Sequence, residues 1–229
     1  MMICITGAGG KTSLLYALAE RAAAAGKRVV VSTTTHIFQP AEEYAYDRIE
    51  VLKRWKQGRF AVVGTPCEGG KLKSPSEEEL AFWDEYADLL LLEADGSKHL
   101  PLKVPACHEP VVPAACRCLV GVMGMDAWKN SLQDACFRPQ LACALLQQGP
   151  EHEISLEDMA FLGSSPLGLA KESEGRRFSV VLNKCEGSLI PAAEDLRQLL
   201  QRRGIERVVL TAEGRPLSGE EEVYDALLD

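Results

Sequence analysis

Long apolar runs are missing from this chain. None approaches the roughly 18–20 residues needed to span a bilayer. The opening residues, MMICIT, have neither the basic segment nor the apolar stretch of an export signal. Positive charge is scarce: Lys and Arg number 25 against 33 Asp and Glu, a formal net charge of −8. Gripping a nucleic-acid backbone or an anionic membrane needs a basic surface, so neither partner is expected. Internal repeats and low-complexity tracts are absent, as is the paired C-x2–4-C spacing of structural zinc sites. With no export signal, the eight cysteines read as reduced thiols of a cytoplasmic protein, most of them packed. What is present is an ordinary globular balance, 46% hydrophobic and 25% charged over 229 residues. Small anions remain open as ligands, because one positively polarised loop can bind them inside an acidic protein.

Apolar strand-like runs alternate with helical patterns. Strands are expected at 2–6, 27–33, 59–64, 88–93, 118–123, 178–183 and 207–211. Helices are expected at 11–25, at 41–57 with Leu52 and Trp55 inward, and from Glu77 onward behind a Ser76 cap. Further helices are expected at 137–148, 155–162, 191–203 and 220–228, with a loop or small hairpin at 65–75. The continuous run DLLLLE suits a central parallel strand. The alternation predicts a mostly parallel α/β sheet with helices on both faces. Residues 1–229 read as one domain, with a helical insertion at about 125–175, where strand patterns stop.

The sharpest motif is ITGAGGKTS, residues 5–13. A strand ends, a glycine loop follows, and Lys11-Thr12 opens a helix, which is the context a phosphate-binding loop requires. Glycines let backbone N–H groups approach phosphate oxygens, and the helix N-terminus adds its dipole. The expected contacts are Gly7, Ala8, Gly9, Gly10, Lys11, Thr12 and Ser13, with Lys11 on the β- and γ-phosphates and Thr12 on Mg²⁺. The spacing, G-x-x-G-K-T, is shorter than the common loop and resembles that of the Mur ligase group. A P-loop NTPase-like three-layer sandwich follows as the fold expectation, with Mg²⁺ and ATP or GTP as cofactors. The acid completing the metal site is expected in LLLLEADG, from Glu93 or Asp95, either as metal ligand or as orienter of an attacking water. Lys11, Glu93 and Asp95 are thus the candidate catalytic groups.

Two further stretches carry weaker signals. STTTH follows a strand, so Thr34 and Thr35 are candidate γ-phosphate or substrate contacts, although threonine also suits strand ends for propensity alone. Asn183-Lys184-x-Glu186 ends a late strand and is similar to the N-K-x-D base-reading element of GTPases, with Glu in place of Asp; a plain polar turn is the alternative. His99, Cys107, His108, Cys116 and Cys118 match no common metal spacing, and C-x-C in a strand puts both thiols on one face, as core packing would.

Taken together, GAGGKTSLL, VVVSTTTHIFQP, LLLLEADGSKHLPLKVPACHEPVVP, GVMGMDA, FRPQL and VVLNKCEG resemble the YqeC family, accessory proteins of selenium-dependent molybdenum hydroxylases. The resemblance runs over about residues 2–211. It implies a P-loop NTP-binding fold and a role in maturing a selenium-containing molybdenum site, with a molybdenum hydroxylase or its cofactor as partner. It also gives Lys98, Lys103, His108, Glu109 and Asp126 a purpose, as an anionic-substrate site at the carboxyl ends of the strands. Three activities compete: a Mg²⁺-dependent NTPase assisting cofactor or selenium insertion, a kinase or ligase acting on a small anion, and a nucleotide-gated scaffold.

Overall fold

The computed structural model describes residues 1–228. Its centre is an eight-stranded sheet: β1 Met2–Gly7, β2 Val29–Thr33, β3 Ala61–Val62, β4 Leu89–Glu93, β5 Cys118–Gly124, β6 Arg177–Asn183, β7 Arg207–Ala212 and β8 Arg215–Pro216. The spatial order is β8-β7-β6-β5-β1-β4-β2-β3, parallel throughout except for β8. The helices are α1 Lys11–Ala24, α2 Arg48–Lys56, α3 Glu77–Tyr86, α4 Leu132–Ala135, α5 Pro139–Leu146, α6 Leu156–Ser164, α7 Leu189–Arg202 and α8 Glu221–Asp225.

Every residue of β1, β2, β4 and β5 is buried, so alternate side chains load two cores. On one face Ile3, Ile5, Val29, Val31, Leu89 and Leu91 pack under Leu14, Leu15 and Leu18 of α1 and Tyr224 of α8. On the other, Cys4, Val30, Leu90 and Leu92 meet Val51 of α2 and Trp83 of α3. Met123, Val180, Leu182 and Leu210 meet Leu196 and Leu200 of α7 and Met159 of α6. The chain therefore adopts the expected three-layer α/β sandwich, with α4, α5 and α6 lying between β5 and β6 in sequence.

Two small sheets stand over the carboxyl ends of the strands. One is an antiparallel flap of His36–Phe38, Lys71–Lys73 and Thr65–Cys67. The other pairs Leu102–Lys103 with Cys136–Phe137. Only the hairpin at 65–75 belongs to the sequence expectation.

Two local expectations are corrected. The second helix begins at Arg48, not near 41, because Tyr44 bridges to Val62 and Asp47 accepts the Glu50 N–H as cap. Leu52 then faces solvent, 51% exposed, and Val51 is the buried residue. Cys116 and Cys118 do not share a face. Cys116 precedes the strand, in a turn closed by its N–H to the Pro113 carbonyl, so the two-residue period does not reach it. Cys116 packs with Cys4 and Cys118 with Ile3 on opposite sides of the sheet.

Candidate functional site

The Gly7–Gly10 loop leaves β1 and turns into α1 at the carboxyl edge of the sheet. Its shape is fixed by backbone contacts that only glycine permits. Gly9 has φ +82°, and a Cβ there would sit 2.2 Å from the Gly124 nitrogen. Gly10 has φ +117°, and its Cβ would meet the Asn183 amide at 2.2 Å. The N–H of Ala8 donates to the Val122 carbonyl (2.9 Å), and that of Gly9 to the Leu100 carbonyl (3.1 Å). The loop thus rests on β5 and on the chain beyond β4. No side chain caps α1, so N–H groups of its first turn lack intrahelical acceptors and present a positive helix end.

Lys11 is buried beneath this turn, 3% exposed. Its Nζ donates to the Gly7 carbonyl (2.8 Å) and to Ser97 Oγ (3.2 Å), and lies 3.3 Å from Asp95 and 3.9 Å from Glu93. Thr12 Oγ1 donates to Glu93 Oε2 at 2.8 Å. The two acids differ in how they are held. Glu93 ends β4, its carbonyl gripped by Thr33 Oγ1 (2.8 Å) and the Thr34 N–H (3.1 Å). Burial raises the Glu93 carboxyl above its usual range, against the pull of Lys11 and Thr12. Asp95 turns back under the loop, where Oδ2 accepts the Gly7 N–H (3.1 Å) and pairs with Lys103 (3.0 Å).

Lys103 anchors a buried ionic chain. Besides Asp95 it pairs with Glu109 at 2.9 Å and donates to the Gly96 carbonyl at 2.7 Å, and Glu109 is in turn gripped by Arg138. Lys103 is 3% exposed. It is therefore a support under the loop rather than a free substrate contact, and Glu109 shares that role.

A cleft of about 920 Å³ opens in front of the loop. Its lining runs from Gly10, Lys11, Thr12 and Ser13, past Thr34, Thr35, Glu93, Lys98 and His108, to the flap and Arg138. Thr34 Oγ1 donates to the Val111 carbonyl (2.7 Å), while Thr35 lies 3.3 Å from Thr33.

The late-strand candidates lie elsewhere. Asn183 is buried; its amide donates to the Gly9 carbonyl (2.8 Å), and its Oδ1 accepts from Thr211 Oγ1 and the Gly214 N–H, both at 2.9 Å. It ties the loop to β6 and β7. Lys184 pairs with Asp126, and Glu186 is exposed. None of Asn183, Lys184, Glu186 and Asp126 lines the cleft, so the structure does not bring Asp126 to the side of Lys98.

The flap residues Phe38, Lys71 and Lys73, with Ser97, Phe137 and Arg138, line the cleft but were not singled out as site residues in the sequence; Phe38, Ser97, Phe137 and Arg138 fall within the family-like stretches, Lys71 and Lys73 in none of them. No group of three or more His, Cys, Asp or Glu suited to a metal occurs among the described residues. Cys107 is exposed, its Sγ 4.0 Å from His108 Nδ1.

All of the cleft lining falls within residues 3–140, which match the family model described as "YqeC protein". The chain is also 31% identical over 223 residues to "Uncharacterized protein YqeC" of Escherichia coli (strain K12), covering 91% of this chain and 86% of that protein. The chain belongs to the YqeC family. Among solved structures, the MinC:MinD cell division protein complex of Aquifex aeolicus superposes on 99% of this chain and 92% of its own, with TM-score 0.48 and 14% identity. No helix among the described residues of this YqeC-family chain is long and apolar enough to cross a membrane.

Proposed function

We propose that this chain binds a nucleoside triphosphate with Mg²⁺ at the Gly7–Ser13 loop and hydrolyses it, and that turnover serves the maturation of a selenium-dependent molybdenum hydroxylase. The observation that carries the nucleotide reading is the Thr12–Glu93 contact of 2.8 Å beside an uncapped helix N-terminus. A hydroxyl and one carboxylate, with room for phosphate oxygens and water, is a donor set that suits Mg²⁺, which keeps several waters and needs no all-protein cage. Bound there, the ion would neutralise charge on the phosphates.

The remaining work falls to the chain itself. Backbone N–H groups at the start of α1 receive phosphate oxygens. Lys11 exchanges the Gly7 carbonyl for the β- and γ-phosphates, a short swing that its present position allows. Glu93 is the metal-side acid and orients water. Asp95 holds the Gly7 N–H and so shapes the loop. Lys184 is paired with Asp126 and Glu186 is exposed, and neither lines the cleft, so both ATP and GTP belong in the assay. The molybdenum hydroxylase partner is supported by the family resemblance alone.

The cleft's volume of about 920 Å³ and its lysines beyond the loop favour a second reading, transfer of the γ-phosphoryl group to a small anionic acceptor. γ-Labelled ATP and GTP separate the two: release of free phosphate supports hydrolysis, and label on an added acceptor supports transfer. Lys11→Ala should reduce nucleotide affinity by at least about 100-fold, roughly 3 kcal/mol. Unchanged affinity in a correctly folded variant, by calorimetry, would sink the loop reading.

A further inference from the structure

We propose that the outer half of the cleft is a binding site for a planar, anionic heteroaromatic molecule, seated beside the phosphate loop; its rank as a second-ligand site rests on the loop reading. Aromatic residues make up only 6% of the chain, yet two phenylalanines line this cleft. Phe38 on the flap is 57% exposed, with the His99 ring stacked at 6.3 Å and 19°. Lys71 Nζ lies 5.1 Å from the Phe38 ring centroid. Phe137 carries Arg138 at 4.5 Å and Lys98 at 5.6 Å from its centroid. An aromatic face flanked by cations matches a flat ring bearing negative charge: the ring stacks, and the cations take the anionic substituent.

Of these cations Lys71 and Lys98 are free to do so, whereas Arg138 is already held by Glu109. The ion pairs lining the cleft use Lys11, Arg138 and the acids Glu93 and Glu109, whereas Lys71, Lys73 and Lys98 take part in no ion pair among the described residues. In a chain with net charge −8, that local surplus is unexpected unless an anion offsets it.

Three of the eight non-glycine residues with positive φ among the described residues line this cleft. Lys98 (φ +50°), His99 (φ +64°) and Arg138 (φ +65°) are left-handed and not glycine. Such conformations persist where the surroundings demand them. Here they aim the Lys98 cation and the Arg138 guanidinium over Phe137 and set His99 against Phe38.

Flavin mononucleotide is a suitable probe, being planar, anionic and fluorescent. Titrated with the full chain saturated with Mg²⁺ and a non-hydrolysable ATP analogue, it should show a rise in fluorescence anisotropy with a micromolar midpoint. Riboflavin, which lacks the phosphate, should bind at least about tenfold more weakly. Phe38→Ala and the double variant Lys71→Ala/Lys98→Ala should each weaken the flavin by about tenfold or more, with affinity for the ATP analogue unchanged. Equal flavin affinity in wild type and both variants, or no rise in anisotropy up to about 1 mM protein, would overturn the proposal. Retained ATP binding in Lys11→Ala would remove the loop reading while leaving the flavin result standing, so the two failures are distinct.

Discussion

Glu109 shows how a single side chain here is governed by its neighbours. Burial works to raise its carboxyl, but hydrogen bonds from Arg138 and Lys103 outweigh that and hold it down, from 4.5 to about 2. A carboxylate depressed in the folded state adds stability that is fully present above its unfolded value and is lost as pH falls through the folded one. The window is therefore about pH 4.5 down to 2. Glu109→Gln should be less stable than wild type at pH 7, with Lys103 and Arg138 left facing each other. The gap should narrow as pH drops through that window, in urea titrations at successive pH values; a gap that stays constant to pH 2 would deny Glu109 this role. The same residue explains why Lys103 looked like a substrate contact in the sequence. Its partners, Asp95 and Glu109, come from irregular chain on either side, and no periodicity announces that they converge.

At the scale of the element, α6 is set by its first turn. Ser155 Oγ accepts the Asp158 N–H (3.1 Å) while Asp158 accepts the Ser155 N–H (2.9 Å), a reciprocal cap. Ser155→Ala should cost about 1 kcal/mol, read as a shift of the urea midpoint without change of slope. Elements of this kind were legible: the caps Ser76 and Ser155, the apolar run into Glu93 and the glycine loop all announce themselves by local chemistry. Of the flap only the hairpin at 65–75 was; His36–Phe38, which completes it, is three residues with Ile37 alone buried, too short and too polar for a period-two signal. Asn183 was singled out correctly as a strand-end residue, but its contacts lie with Gly9 and Gly214, far away in sequence. The parallel sheet was readable because its strands are buried on both faces, whereas the cleft was not, because tertiary packing alone joins the flap to Phe137 and Arg138.

On the scale of the whole molecule, the sheet order gathers the carboxyl ends of β1, β4 and β2 at one edge, where the loop, Glu93 and the Thr33–Thr35 turn meet. The same order has a consequence for the newborn chain. β1 is made before every other strand of the sheet, but its neighbours begin at Leu89 and Cys118, and the loop leans on Val122 and Gly124. At about 5–20 residues per second, the first strand waits on the order of ten seconds for its partners. During that interval MICITG is an unpaired apolar segment that depends on late contacts for rescue. A fragment of residues 1–117 should accordingly stay protease-sensitive and show no measurable affinity for ATP or GTP, whereas the full chain resists digestion. Protection of the fragment equal to that of the full chain would mean that β1, β2 and β4 hold together without β5.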